Sequence, residues 1–245
     1  MKFRTRLLAI GLVTLFVGLV IFFPARVAYR WFLPETVSFS GISGSVWNGS
    51  AREAYAQGIY VRDLNWRMQP LALMGGAVGF GFDASPQGGF LDGSVKIGFG
   101  GQIAFDDLTA SLTLQDLQPL IGMPGLGGMA NARFPRLILN EGIPTSVEGV
   151  VEVADLIVPT LYRGSVGGYR AEFFTQDSGV MASVEDTDGV IDVAGSLHLA
   201  RDRNYEFIAQ IAAKNETPES VRQQMQFLGS ADERGQRELR LQGRL

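Results

Sequence analysis

The chain has no cysteine and a single histidine, His198, in 245 residues. Without thiols there can be no lipid-modified cysteine, no thiolate metal site and no disulfide, so the fold must rest on an ordinary apolar core. One histidine without cysteines also leaves no ligand set for zinc. Basic residues are in short supply, with 21 Lys and Arg against 25 Asp and Glu. The first 34 residues carry five positive charges and no negative one, so the net charge of −4 becomes −9 for the remainder. With no basic stripe to neutralise phosphates, nucleic acid is excluded as a partner. Glycine is the opposite case: 31 residues, well above the usual share of about 7%.

Long apolar runs are absent except at the start. Lys2, Arg4 and Arg6 precede a stretch from Leu7 to Phe23 with no charge, in which Thr14 alone can hydrogen-bond, and Ala25 extends it past Pro24. That length is enough for one helix to span a bilayer. "FFPARVAYR" places only Phe23 or Arg26 two residues before a candidate cleavage alanine, so the segment reads as an uncleaved signal anchor. The expected layout is a cytoplasmic tail (1–6), a transmembrane anchor (7–25), a juxtamembrane segment (26–34) and a domain outside the cytoplasm (35–245). Tyr29, Trp31 and Phe32 are expected at the far interface, where aromatic rings settle at headgroup depth.

Beyond residue 34 the pattern alternates with period two. Ile191, Val193, Leu197 and Leu199 fall on one face, Asp192, Ser196 and His198 on the other, and Tyr205, Phe207, Ala209 and Ile211 repeat the pattern after "ARDRN". This predicts a hairpin, preceded by a turn in "EDTDG". "GSVKIGF", "LTASLTL", "SVEGVVEV" and "RELRLQGRL" read the same way, giving roughly a dozen short strands. Frequent glycine marks bulges and bends, so the expected fold is all-β, with a rolled, curved antiparallel sheet that is groove-like or partly closed. One short amphipathic helix is expected in "TPESVRQQMQFLG", capped by Thr217 and Gly229, with Val221, Met225 and Leu228 on one face. One helical turn is expected from Asp116, before a glycine-rich loop.

None of the motifs supports catalysis. "GISGSVWNGSA" lacks the G-x-S-x-G order of a nucleophile turn, and Gly44 and Gly49 are followed by Ser50 and Ala51 instead of the Lys and hydroxyl of a phosphate loop. It reads as a hairpin made by Gly41, Gly44, Val46, Trp47, Asn48, Gly49 and Ala51, turning at Asn48-Gly49. "GLGGMA" matches G-x-G-x-x-A, but Pro124 before it and Pro135 after it remove the required strand and helix. Glu185, Asp186 and Asp188 read as a solvated turn and not a calcium site, and Asp106-Asp107 also reads as a turn. Catalytic residues, metal ligands and cofactors are therefore expected to be none. Leu64, Trp66 and Met68 alternate on one strand face that Pro70 ends; with Leu239 and Leu241 they are the candidates for a filled core or an apolar groove, and both readings stay open.

In order along the chain, the basic N-terminus and apolar run, "GISGSVWNGSA", "GIYVRDLNWRMQPLALMGG", "LTLQDLQPLIGMPGLGGMANARFPRLILNEGIPTSVEGVVEVADL", "GSVGGYRAEF" and "PESVRQQMQFLGSADERGQRELRLQGRL" resemble the protein N family of the bacterial type II secretion system. The resemblance implies a single-span inner-membrane protein whose β domain is periplasmic, an accessory part of the secretion apparatus. It also implies a wider kinship with AsmA-like proteins, whose rolled sheets form apolar grooves for lipid. Two functions follow: a non-enzymatic scaffold contacting other secretion components through sheet edges, or a lipid-binding or lipid-transferring trough that takes phospholipid.

Overall fold

In a computed structural model of the chain, which describes residues 2–32, 36–56 and 58–244, a single antiparallel sheet of 15 strands dominates. Two helices come first, α1 (Lys2–Ile21) and α2 (Ala25–Phe32). The strands begin with β1 (Val37–Ser40), β2 (Ser43–Gly44), β3 (Asn48–Ala56) and β4 (Ile59–Gln69), then a 3-10 turn over Pro70–Gly75. Next come β5 (Ala77–Pro86), β6 (Phe90–Gly98), β7 (Ile103–Thr113), the one-turn α3 (Gln118–Ile121), β8 (Gly127–Asn140) and β9 (Ile143–Val158). The chain continues through β10 (Tyr162–Ser165), β11 (Tyr169–Gln176), β12 (Gly179–Asp186), β13 (Ile191–Ala200) and β14 (Asn204–Ala213). It closes with α4 (Glu219–Met225) and β15 (Gln236–Arg244).

Strands adjacent in sequence pair in space, from β1 and β3 at one edge through to β14 and β15 at the other, with β2 beside β3 and β10 beside β9. Such a meander needs only local hairpins. Among the described residues β1 and β15 do not pair with each other, so the sheet is not closed.

The curvature has an identifiable origin. Asp63, Asp107 and Asp155 all sit at φ 51°, a left-handed conformation that aspartate tolerates better than most side chains. Each lies where its strand carries one residue more than its partner: β4 against β5, β7 against β6, and β9 against β8. An extra residue bends the strand and increases its twist. A fourth bulge sets Phe134 and Pro135 of β8 against Gly149 alone, where a Cβ would lie 2.4 Å from Phe134 Cδ1. The turn after β8 and the turn after β13 are four strand spacings apart, about 19 Å in a flat sheet. Glu141 and Arg203 on those turns nevertheless meet at 2.7 Å, so the sheet curls. The expectation that Asp106-Asp107 forms a turn is corrected: both lie within β7, Asp106 paired with Lys96 at 2.7 Å and Asp107 forming the bulge.

The apolar N-terminal run also departs from one helix over 7–25. α1 ends at Ile21, Pro24 forms an isolated bridge with Ser45, and Ala25 opens α2. Proline has no N–H for the helical ladder, so the helix breaks there. Among the described residues no helix is long and apolar enough to cross a membrane. The expected boundary at 34/35 lies outside the described residues, as do the side chains of Trp31 and Phe32.

α4 covers the β13–β15 end of the sheet. Val221 and Met225 are buried against Ala209 and Ile211, with Leu239 packed beside them, while Leu228 stays 36% exposed on a 3-10 extension. Thr217 does not cap the helix. Its hydroxyl donates to Val190 O at 2.5 Å and accepts from Lys214 N at 2.7 Å, so Pro218 takes the cap position. Beside it Asp186, with a side chain only 8% exposed, pairs with Lys214 and accepts from Val193 N at 2.9 Å. Asp186 is thus no solvated turn residue. Among the described residues no three His, Cys, Asp or Glu side chains are grouped to hold a metal.

Burial opposes the charge on Asp186, but the Lys214 ammonium and the Val193 amide outweigh it and hold its pKa below the ordinary 3.8. The same bond raises Lys214 above 10.5. A lowered carboxylate pKa contributes stability that is full above the unfolded value and lost as pH falls through the folded one. Asp186→Asn should therefore cost about 1–3 kcal/mol at neutral pH. It should also shrink the acid-induced fall in Tm below about pH 4, which thermal melts across that range would measure.

Candidate functional site

The best-defined feature is the joint between the N-terminal helices and the sheet. β2 and β3 form a hairpin with Ser43 opposite Ser50 and Gly44 opposite Gly49. Ser45 N donates to Asn48 O at 2.9 Å, which places the apex at Val46-Trp47. The expected turn at Asn48-Gly49 is thus corrected: both residues belong to β3. Gly49 serves close approach instead of a turn, because a Cβ there would lie 2.5 Å from Trp66 Cζ2 and 2.8 Å from two carbonyl oxygens. The motif's positive-φ glycines are Gly41 and Gly44.

The apex is held from three directions. Val46 N donates to Phe23 O at 3.0 Å, the Trp66 indole donates to Val46 O at 3.0 Å, and Met68 N donates to Trp47 O at 2.6 Å. α2 is latched to the β1–β2 segment by Arg26 Nε, which donates to Ile42 O at 2.6 Å. Tyr29 packs its ring 5.5 Å from Phe39. Ala25, Ile42 and Ala51 form the buried centre of this cluster.

Beside the cluster lies a cavity of about 580 Å³, lined by apolar side chains that include Tyr29, Phe39, Leu64, Trp66, Phe80 and Phe82. Its size is that of an ordinary small-molecule site, and its chemistry suits a hydrocarbon chain. Leu64 and Trp66 thus share one hollow. Met68 and Pro70 line a neighbouring cavity with Leu71 and Lys96. Leu239 and Leu241 are not part of either: β15 is ten strand steps from β4, with Leu239 packed towards α4 and Leu241 51% exposed at the edge. The cavity residues missed by sequence reasoning are those of α2 and β5, together with Phe39, Ile42 and Val95. Alternation in "AVGFGFDAS" carries the signal for Phe80 and Phe82, whereas nothing local pointed Ala25 and Tyr29 towards the sheet. His198, placed among solvent-facing positions by its pattern, keeps its Nε2 buried and without a partner among the described residues.

The class these features define is an open, curled antiparallel sheet led by an apolar helix, with an apolar hollow at their joint. The chain belongs to the family of type II secretion system (T2SS) protein N, whose description matches residues 35–240. Type II secretion system protein N of Vibrio cholerae serotype O1 (strain ATCC 39315 / El Tor Inaba N16961) is 28% identical over 244 residues, covering 94% of each chain. Its namesake from Aeromonas hydrophila is 23% identical over 254 residues, covering 100% of both. No solved structure matches the chain.

Two substitutions separate the roles at the apex. Trp66→Phe removes one hydrogen bond while keeping a ring, for an expected loss of about 1 kcal/mol. Gly49→Ala pushes that ring off the strand and should cost more, about 1–3 kcal/mol. Denaturant unfolding measures both, and a Gly49→Ala variant as stable as the unaltered chain would contradict the close approach.

Proposed function

We propose that the protein is a non-enzymatic accessory component of the type II secretion apparatus, anchored in the inner membrane with its N-terminus cytoplasmic and its sheet in the periplasm. The observation that carries this reading is the pair of unpaired sheet edges. Among the described residues β1 and β15 end the strand order, and β15 runs for nine residues, most of them exposed. Such edges add strands from a partner chain readily. Arg237, Glu238, Arg240 and Arg244 line β15, so charge selects against indiscriminate pairing and for a partner of matching pattern.

Anchoring is supported by the charge-free run from Leu7 to Phe23 and by its exposure. Ile10, Leu12, Val13, Leu15, Phe16 and Leu19 are each at least 60% exposed on α1. Thr14, the one hydrogen-bonding side chain in that run, donates to Ile10 O at 2.9 Å and so needs no water. An apolar surface on all sides of a helix requires an apolar surrounding.

A second reading, an AsmA-like lipid-binding or lipid-transfer protein, is supported by the apolar cavity beside Trp66. Photoreactive residues at Ser38 and Leu241 in intact cells, with Asn131 of the mid-sheet β8 as control, separate the two. The scaffold reading expects secretion components captured at an edge position and several-fold less at Asn131. Capture of phospholipid alone at Ser38 and Leu241 would overturn it in favour of the lipid reading.

A further inference from the structure

The direction of the meander sorts the turns into two ends. At one end lie the Val46-Trp47 apex, the 3-10 turn Pro70–Gly75, the turn from Phe99 to Gly101, and the turns at Glu141-Gly142, Asp177-Ser178 and Arg201–Arg203. Large exposed apolar side chains occur at only the first part of this row, among the described residues. Leu71 is 79% exposed, Met74 87% and Phe99 76%. The remaining turns are polar, and Arg203 pairs with Glu141 across them.

The apolar part coincides with the place where α1 meets the sheet. Phe23, two residues past α1, accepts from Val46; Trp47 accepts from Met68; and Pro70 opens the 3-10 turn two residues later. Phe99 N donates to Gly76 O at 3.2 Å, so the β6–β7 turn is tied to the β4–β5 turn. Phe227 is as exposed, at 89%, but stands at the opposite end of the sheet, beyond α4. Leu71, Met74 and Phe99 therefore lie on turns that hydrogen bonds tie to the exit of an apolar helix.

We propose that this end of the sheet, through Leu71, Met74 and Phe99, docks into the interfacial layer of the phospholipid bilayer beside α1, so that the sheet stands on the membrane at a fixed orientation. The inference rests on the anchored reading given above. Apolar side chains beside a membrane-inserted helix are taken out of water by the headgroup and acyl boundary, with rings and thioethers well suited to that layer. The Glu141, Asp177 and Arg201–Arg203 turns, which are polar, remain in water, so the sheet tilts towards its β4–β7 part.

The absence of cysteine allows single thiol labels in the full chain. An environment-sensitive fluorophore is placed by Met74→Cys, Phe99→Cys, Ser178→Cys or Val13→Cys, and each protein is reconstituted in phosphatidylethanolamine and phosphatidylglycerol vesicles carrying nitroxide lipids labelled near the headgroup or deep in the acyl chain. The expected result is deep quenching at Val13, shallow quenching at Met74 and Phe99 several-fold above Ser178, and none beyond background at Ser178. Quenching at Val13 with Met74 and Phe99 no different from Ser178 overturns the docking while the anchor stands. A blue-shifted but unquenched label at Met74 and Phe99 assigns the patch to a protein contact instead. An unquenched Val13 removes the anchored reading, and the docking with it.

Discussion

Three hydrogen bonds at the β2–β3 apex link the segment after α1, the hairpin and β4, and the packing of the N-terminal helices on the sheet depends on them. Phe23, just past α1, the hairpin apex and the end of β4 are joined through Val46 and Trp47. The geometry needs a glycine at position 49 so that the Trp66 ring can lie on the strand and its N–H can reach the apex. Once this joint is set, α2 has one place to pack, over Ile42 and Ala51, and the apolar hollow beside Trp66 follows from the space left between α2 and the curled sheet.

The sheet itself solves a geometric problem. A meander of this many strands has to curl or splay, and here the bending is distributed over bulges in which an aspartate adopts φ 51° and a leucine follows, Asp63-Leu64, Asp107-Leu108 and Asp155-Leu156. The bulges do not carry the curl to closure. Among the described residues two edges stay open, one beside the N-terminal helices and one lined with arginines near α4. The chain thus presents, on one sheet, an apolar patch at the β4–β7 turns and, among the described residues, two separate strand edges.

Much of this was legible from residue order. Period-two alternation located β13, β14 and the central strands, and Val221 and Met225 were placed on the buried face of α4 from spacing alone. The errors share a cause: local preference read where tertiary packing decides. Asn48-Gly49 has the composition of a tight turn, yet Gly49 is required because an indole lies against it. Asp106-Asp107 has the composition of a loop but forms an ion pair and a bulge inside β7. Thr217 has the form of a helix cap, while its hydroxyl is taken by Val190 O, 27 residues away. The grouping of Leu64 and Trp66 with Tyr29 and Phe82 depends on how α2 folds back, which no short window contains.

The central claim is that helix and sheet move as one body through the Val46-Trp47 apex. Residue-resolved amide hydrogen exchange on the full chain in lipid tests it directly, because the Val46 and Met68 amides donate the bonds that make the joint. The account predicts protection at both on the level of β8 and β9. Exchange at Val46 and Met68 as fast as at the exposed Asp177-Ser178 turn would mean that the helix swings free of the sheet, and would contradict it.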